Sequence, residues 1–362
     1  MMEANTRSVT PQISLIPLRM GEILDQAIRL YQRNFLTFIG ILAVVQVPIT
    51  LISMASLIGL NVVQNGILQS ESYNVDPTAG MFSALASTGG VFISIVLHFI
   101  LVQGVAGVAL ARAITDSYTG RPTSVFNAYR LPGSLWRRLL GALLLSGLVS
   151  VGIWLWMLVP CAGWFTGIGA LVFFAGAVTP LLASVVVLEN QNASGSVRRA
   201  WDLARSRMWW MLGFGVLVYL FNLLIVTGPT LLLEWGMTLI PLINLTPALN
   251  GVLQTISTSL LGLVSNLIFL PLQSTAYILA YFDLRVRAEG LDLALAVAQA
   301  QGPLEDFRAV AASSAPAPQQ ELVTSRDWGR FALISVGGIV LYFVLVAVLV
   351  GVMAVFFQNP SF

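Results

Sequence analysis

Long apolar runs dominate the chain, and short arginine-bearing segments separate them. About 20 consecutive apolar residues are enough for a helix to cross a bilayer. Such runs lie near 35–60, 91–114, 139–159, 163–188, 209–233, 252–281 and 331–357, and they predict seven spans. Only Pro160-Cys161-Ala162 separates the third run from the fourth, which predicts a tight hairpin. The fifth and sixth are joined by LEWGMTLIPLINLTPALN, apolar but broken by Pro241 and Pro247. That segment suits either the outer interface or a re-entrant dip.

The polar segments carry a second pattern. In SGSVRRAWDLARSRMWWMLG, residues 194–213, Val197, Ala200, Trp201, Ala204 and Met208 fall on one helical face. Arg198, Arg199, Asp202, Arg205 and Ser206 fall on the other. This predicts a helix on the membrane surface, with its apolar face in the acyl boundary and its arginines among headgroups. Ser194 or Ser196 is the expected cap. The same layout occurs at Leu24-x-x-Ala27-Ile28-Arg29-Leu30, ending in Phe38-Ile39-Gly40. It occurs again at Val125-x-x-Ala128-Tyr129-Arg130-Leu131, ending in Leu139-Leu140-Gly141. Ala200 stands equally far before the Gly of Met211-Leu212-Gly213. The expected architecture is therefore an all-α, polytopic helical membrane bundle with about seven transmembrane helices, interfacial amphipathic helices and a threefold internal repeat. The copies cover about 21–116, 123–189 and 194–290, within a six-span domain 1–293. Residues 294–330 read as an amphipathic end and linker; 302–327, rich in Ala, Pro, Ser and Gln, are expected to be flexible. Residues 331–362 read as an appended seventh span and a short tail.

Composition agrees with this: 57% of residues are hydrophobic and 9% charged, against roughly 25% charged in soluble domains. All 18 basic residues are arginines. In a seven-span arrangement every one of them falls on the same side, and Glu71, Asp76 and Glu234 fall on the other. The positive-inside rule makes the arginine side cytoplasmic, with the N-terminus inside and the C-terminus outside. The first twenty residues lack the apolar core of a signal peptide, so the first span is expected to act as an uncleaved anchor. A single cysteine, Cys161, excludes an intramolecular disulfide and a cysteine-rich metal site.

Candidate chemistry is sparse. His98 and Gln103 lie within the second span, and Gln46, Asn222, Asn266 and Gln273 are the other span polar residues. Intramembrane polar groups either bridge helices or line a cavity. Asp116, Glu189 and Asp283 each end an even-numbered span. They are expected to form exposed interfacial ion pairs of small energy. No aspartate pair lies within the spans, and neither a glycine-rich phosphate loop nor zinc-type histidine spacing occurs. The expectation is a protein without catalytic residues, metal or cofactor. The strongest signal is the arginines, since guanidinium binds phosphate bidentately. The candidate phosphate ligands are Arg29, Arg33, Arg130, Arg137, Arg138, Arg198, Arg199, Arg205 and Arg207; the alternative is that these residues only set topology.

Two stretches carry a resemblance. Near the start is Met20-Gly21-Glu22-Ile23-Leu24-Asp25, followed by Arg29-Leu30-Tyr31. At the end of the sixth span is Tyr281-Phe282-Asp283-Leu284-Arg285-Val286-Arg287-Ala288-Glu289-Gly290-Leu291-Asp292-Leu293. With the basic helix between them, these resemble the membrane domain of bacterial glycerophosphoryl diester phosphodiesterases over about 17–293. The catalytic barrel that gives that family its name has no counterpart here. The resemblance implies membrane architecture, a bacterial inner-membrane location and a phospholipid connection, not the activity. The functional expectation is a scaffold or accessory protein that engages anionic phospholipid at the cytoplasmic face. Other membrane proteins are possible partners; nucleic acid is not. The alternative is a transporter for a lipid or other amphiphile, with Gln46, His98, Gln103, Asn222 and Asn266 around a cavity.

Overall fold

The computed structural model describes residues 17–69, 77–130, 133–239, 247–301, 307–316 and 323–358. Helix α1 (Met20–Arg33) passes through Asn34 into α2 (Phe35–Gln69), the first span. The second span is α3 (Pro77–Leu97), a π-helical stretch His98–Ala106 and α4 (Gly107–Tyr118). A short α5 (Val125–Tyr129) precedes α6 (Gly133–Trp156), the third span. The fourth comprises α7 (Ala162–Phe173), a π-helical turn Phe174–Val178 and α8 (Thr179–Leu188). Helix α9 (Ala193–Ser206) leads into the fifth, α10 (Met208–Asn222) and α11 (Gly228–Leu239), joined by a π-helical turn Leu223–Thr227. The sixth is α12 (Pro247–Glu289); then come α13 (Leu291–Gln301), α14 (Phe307–Ser313) and α15 (Ser325–Gln358), the seventh. Seven stretches are long and apolar enough to cross a membrane, where the hydrophobic pattern places them. The protein is a polytopic helical membrane bundle.

The even-numbered spans organise it. At 1.5 Å per residue, the 41 residues Leu249–Glu289 extend about 60 Å. The 38 residues Met81–Tyr118 extend about 57 Å by the same rise. A hydrocarbon layer is only about 30 Å thick, so both helices carry extra length. That length lies at the arginine-bearing end, where α4, α8 and the last third of α12 are buried almost all round. These three helices contact one another, and α1, α5, α9, α13 and α14 cover their outer faces. Away from that end the spans present large apolar side chains outward, among them Phe82, Leu148, Trp164, Leu231 and Leu341. The packed core thus occupies the basic end, and the opposite part has a lipid-facing belt.

The three segments that read as copies occupy corresponding places. Ala27, Ala128 and Ala200 are all buried. A Cβ placed on Gly40 would lie 3.0 Å from Val125, the first residue of α5. One on Gly141 would lie 2.8 Å from Ala193, the first residue of α9, and one on Gly213 would lie 3.6 Å from Met20, the first residue of α1. Each glycine therefore admits the start of the next copy's surface helix, and the third admits the first, closing a ring. Other contacts follow the same cyclic order: α1 packs on α12, α5 on α4 and α9 on α8. Likewise α2 packs on α12, α6 on the π-helical part of the second span and α10 on that of the fourth.

The structure departs from expectation in five places. Helix α5 is only five residues long, because the Leu131-Pro132-Gly133 that follows disfavours continuation. The side chain of Asn192, not Ser194 or Ser196, caps α9 by accepting from the Gly195 N–H. The apolar face of α9 does not lie in the acyl boundary; it packs against α6, α8 and α12, with Val197, Ala200, Leu203 and Ala204 buried. The linker contains α14, docked through Phe307 and Ala311, which are 2% and 0% exposed. The seventh span also packs on protein. Its Phe331 meets Phe173, and its Ser335 accepts from the Gly169 N–H at 2.7 Å. The Pro241-containing part of the loop between the fifth and sixth spans lies outside the described residues.

Candidate functional site

The end of the sixth span builds the charged centre of the basic end. Tyr281, Arg285 and Glu289 are spaced four residues apart, so they line one helical face. That face meets Glu189, at the end of the fourth span, and Arg199 of α9. Glu189 Oε1 accepts from the Tyr281 hydroxyl at 2.8 Å, and its Oε2 accepts from Arg199 Nε at 2.6 Å. Arg199 Nη2 also pairs with Glu289, and Arg285 Nε donates to Glu289 Oε2 at 2.9 Å. Arg285 lies 3.8 Å from Glu189 and reaches the linker, donating to the Ala311 carbonyl at 2.8 Å and the Ser314 hydroxyl at 3.0 Å. Two carboxylates and two guanidiniums make the group neutral. Burial works against the Arg199 charge, but Glu189 and Glu289 outweigh it and raise its pKa above the ordinary arginine value.

A second cluster lies on the other side of the same helix. Asp283 accepts from Arg287 Nε at 2.9 Å and stands 3.7 Å from Arg207. Its Oδ1 also accepts from the Leu18 N–H at 2.8 Å, while Arg287 donates to the Leu18 carbonyl at 2.9 Å. A carboxylate near the start of α1 complements the helix dipole, and the pair of contacts fastens the first copy to the third. Asp116 pairs with Arg308 of α14 at 2.6 Å. Asp327, opening the seventh span, accepts from Arg205 at 3.1 Å and from the Thr324 hydroxyl at 2.8 Å.

These contacts correct two expectations. Glu189 and Asp283 do not form exposed pairs; their side chains have no exposed surface. Nor are all the candidate arginines open to phosphate: Arg199 is enclosed, and Arg205 and Arg207 are ion-paired within the protein. Arg138 donates to the Asn190 carbonyl at 3.2 Å, and Arg130 stacks over Phe126. Arg29, Arg33, Arg137 and Arg198 are exposed, with no hydrogen-bond or ion-pair partner among the described residues. Of the remaining motif residues, Gly290 turns the chain into α13 with φ +66°, and Asp292 stands in the first turn of α13.

Of the residues proposed for a polar cavity, Gln103 lines one, and Gln46, His98, Asn222 and Asn266 do not share its lining. Gln46 is buried, with Nε2 3.5 Å from Thr50 of its own helix. His98 opens the π-helical stretch of the second span, partly buried. Asn222 ends α10, and Asn266 lies in α12, partly exposed. That cavity, of about 70 Å³, lies between the three central spans, where Gln103 shares the lining with Thr179, Ser184 and Gln273. A water needs about 10–15 Å³ of such space, so this volume suits a few waters rather than an amphiphile. A second hollow, an apolar cleft of about 380 Å³, lies between the third, fourth and seventh spans beneath α9.

Sequence reasoning missed three elements: the buried quartet, the docking of α14 by Arg285, and the cleft. The available signal was the Tyr281-x-x-x-Arg285-x-x-x-Glu289 stripe, a polar line on a long helix that must find partners. Comparison with protein-family models, curated proteins and solved structures gives no match for this chain.

Proposed function

We propose that the chain is a non-enzymatic membrane scaffold whose basic end engages anionic phospholipid of the cytoplasmic leaflet. The observation that carries this reading is the division of the arginines. One set is consumed by internal carboxylates and stiffens the basic end. The other, Arg29, Arg33, Arg137 and Arg198, points outward. Arg33 stands just before Phe35 and Leu36, and Arg137 one turn before Leu140; these are exposed apolar residues where the lipid-facing surface begins. At that depth lipid phosphates are the nearest anions. Each such basic residue contributes about 1 kcal/mol to binding an anionic leaflet. The close-packed central spans favour a scaffold over a carrier. The resemblance to the phosphodiesterase membrane domain is in keeping with a phospholipid connection.

The test is the lipid that stays with the purified protein. Replacing Arg29, Arg33, Arg137 and Arg198 together with Gln retains length and hydrogen-bonding capacity but removes the charge. Retention of phosphatidylglycerol should fall by about tenfold or more, the factor for 1.4 kcal/mol. The loss should be greatest at low salt, where screening is weakest. Unchanged retention in correctly oriented protein would leave these arginines a topological role only.

A further inference from the structure

The cleft beneath α9 has an apolar wall and a charged rim. Ile153 of the third span, Phe174 of the fourth and Phe331 of the seventh form its sides; Trp201 closes its top and Trp328 flanks it. Its volume, about 380 Å³, lies within the roughly 300–1,000 Å³ usual for small-molecule sites. Beside it on the third span, Leu148, Val151 and Leu155 are exposed and apolar, so its surroundings are lipid rather than water. Among the described residues Arg198 is the one charged residue in its lining, and it is exposed without a partner among them. Arg326, also exposed, stands two residues before Trp328.

The other copies have no counterpart. Counting from Ala27, Ala128 and Ala200, the positions matching Arg198 are Asp25 and Phe126. The seventh span, which supplies one wall, packs extensively on the fourth span among the described residues. Where the ring loses its regularity, the chain thus adds both a wall and a positive charge. We infer that the cleft binds one anionic phospholipid, with an acyl chain between the third, fourth and seventh spans and the phosphate on Arg198. This rests on the anionic-lipid reading above and narrows it to one site and one stoichiometry.

Gly152 lines the cleft, and a Cβ added there meets no atom within 4 Å. A side chain can therefore start from this position without its Cβ displacing protein, and a large one would extend into the cleft. The experiment is native mass spectrometry of the full chain in neutral detergent, with phosphatidylglycerol or phosphatidylcholine added. Wild type should retain one phosphatidylglycerol more tightly than the rest. Gly152→Trp should remove that molecule, and Gly152→Leu should weaken it, with unfolding temperature in detergent as the check on folding. Arg198→Gln should keep the acyl site but lower the preference for phosphatidylglycerol roughly fivefold, the ratio for ~1 kcal/mol. A tightly held phosphatidylglycerol that survives both Gly152 substitutions in folded protein overturns the cleft assignment alone. Loss of a dimer on filling the cleft, without change in lipid, also overturns it and identifies a second copy as the occupant. Wild type that retains both lipids equally overturns this inference and the broader reading together.

Discussion

Glu189→Gln removes one charge from a site closed to solvent. The side chain is fully buried, as is that of Arg285, and Arg199 is nearly so. In the native protein Glu189 and Glu289 balance Arg199 and Arg285; in the variant two guanidiniums share one carboxylate. Removing one partner of a buried ion pair costs about 3–5 kcal/mol, against about 0–1 kcal/mol for an exposed pair. The first range applies here because the Glu189 oxygens also accept from Tyr281 and Arg199, at 2.8 and 2.6 Å. Arg199→Gln should cost a similar amount. The double variant is neutral again, so its cost should fall short of the sum by about 2–3 kcal/mol, the upper range of measured couplings. Reversible unfolding in mixed detergent and dodecyl sulfate micelles, followed by tryptophan fluorescence, gives the full cycle. The coupling should also resist alkali. With its folded-state pKa raised, Arg199 contributes stability that is complete below the ordinary arginine pKa and is lost only as pH rises through the still higher folded value. A loss below about 1 kcal/mol for Glu189→Gln, or additivity within about 0.5 kcal/mol, would refute a desolvated network.

Gly141→Ala should destabilise by about 1–3 kcal/mol, the usual cost of overpacking, because its Cβ would press on Ala193 at 2.8 Å. Gly213→Ala, with 3.6 Å to Met20, should be nearly neutral, and equal unfolding energies for the two would argue against the close junctions. Gly169→Leu would drive a side chain into the Phe331 backbone and should loosen the seventh span, read as faster crosslink loss between cysteines placed at Ala170 and Ile334. Phe307→Ala should release α14 and speed tryptic cleavage at Arg308; an unchanged rate would mean that Phe307 burial does not hold the linker. Cys161, exposed in the turn opposite the arginines, should react with an impermeant thiol reagent in intact cells. A cysteine at Ser313 should react only after permeabilisation, and the reverse pattern would invert the assigned orientation.

Length and apolarity alone decide which segments cross a bilayer, because unsatisfied backbone in hydrocarbon leaves helices as the only option for such a chain. That is why all seven spans were legible in the sequence. The period of α9 was legible too, but not what covers its apolar stripe, since lipid tails and the side chains of α6 and α8 are equally apolar. Arg198 and Arg199 look alike as adjacent residues. They sit 100° apart on the helix, so one faces the cleft and the other Glu189. The partners that decide this are distant in sequence: Tyr281 bonds Glu189 across 92 residues, and Arg285 reaches Ala311 across 26. Helix α14 was hidden by a composition typical of flexible linkers; its apolar anchors are just Phe307 and Ala311, one turn apart, and its polar ones, Arg285 and Asp116, are distant in sequence.

The most direct test of phosphate engagement is distance measurement between arginine and lipid. Protein labelled with ¹³C at the guanidinium carbon, in phosphatidylglycerol bilayers, can be examined by ¹³C–³¹P dipolar recoupling in the solid state. All 18 basic residues are arginines, so one label reports on every candidate contact. The account predicts dephasing of a minority of the guanidinium signal, abolished when Arg29, Arg33, Arg137 and Arg198 are replaced by Gln. The internally paired Arg199 and Arg285 should show none. Absence of dephasing in wild type, or dephasing undiminished in the fourfold variant, would contradict it.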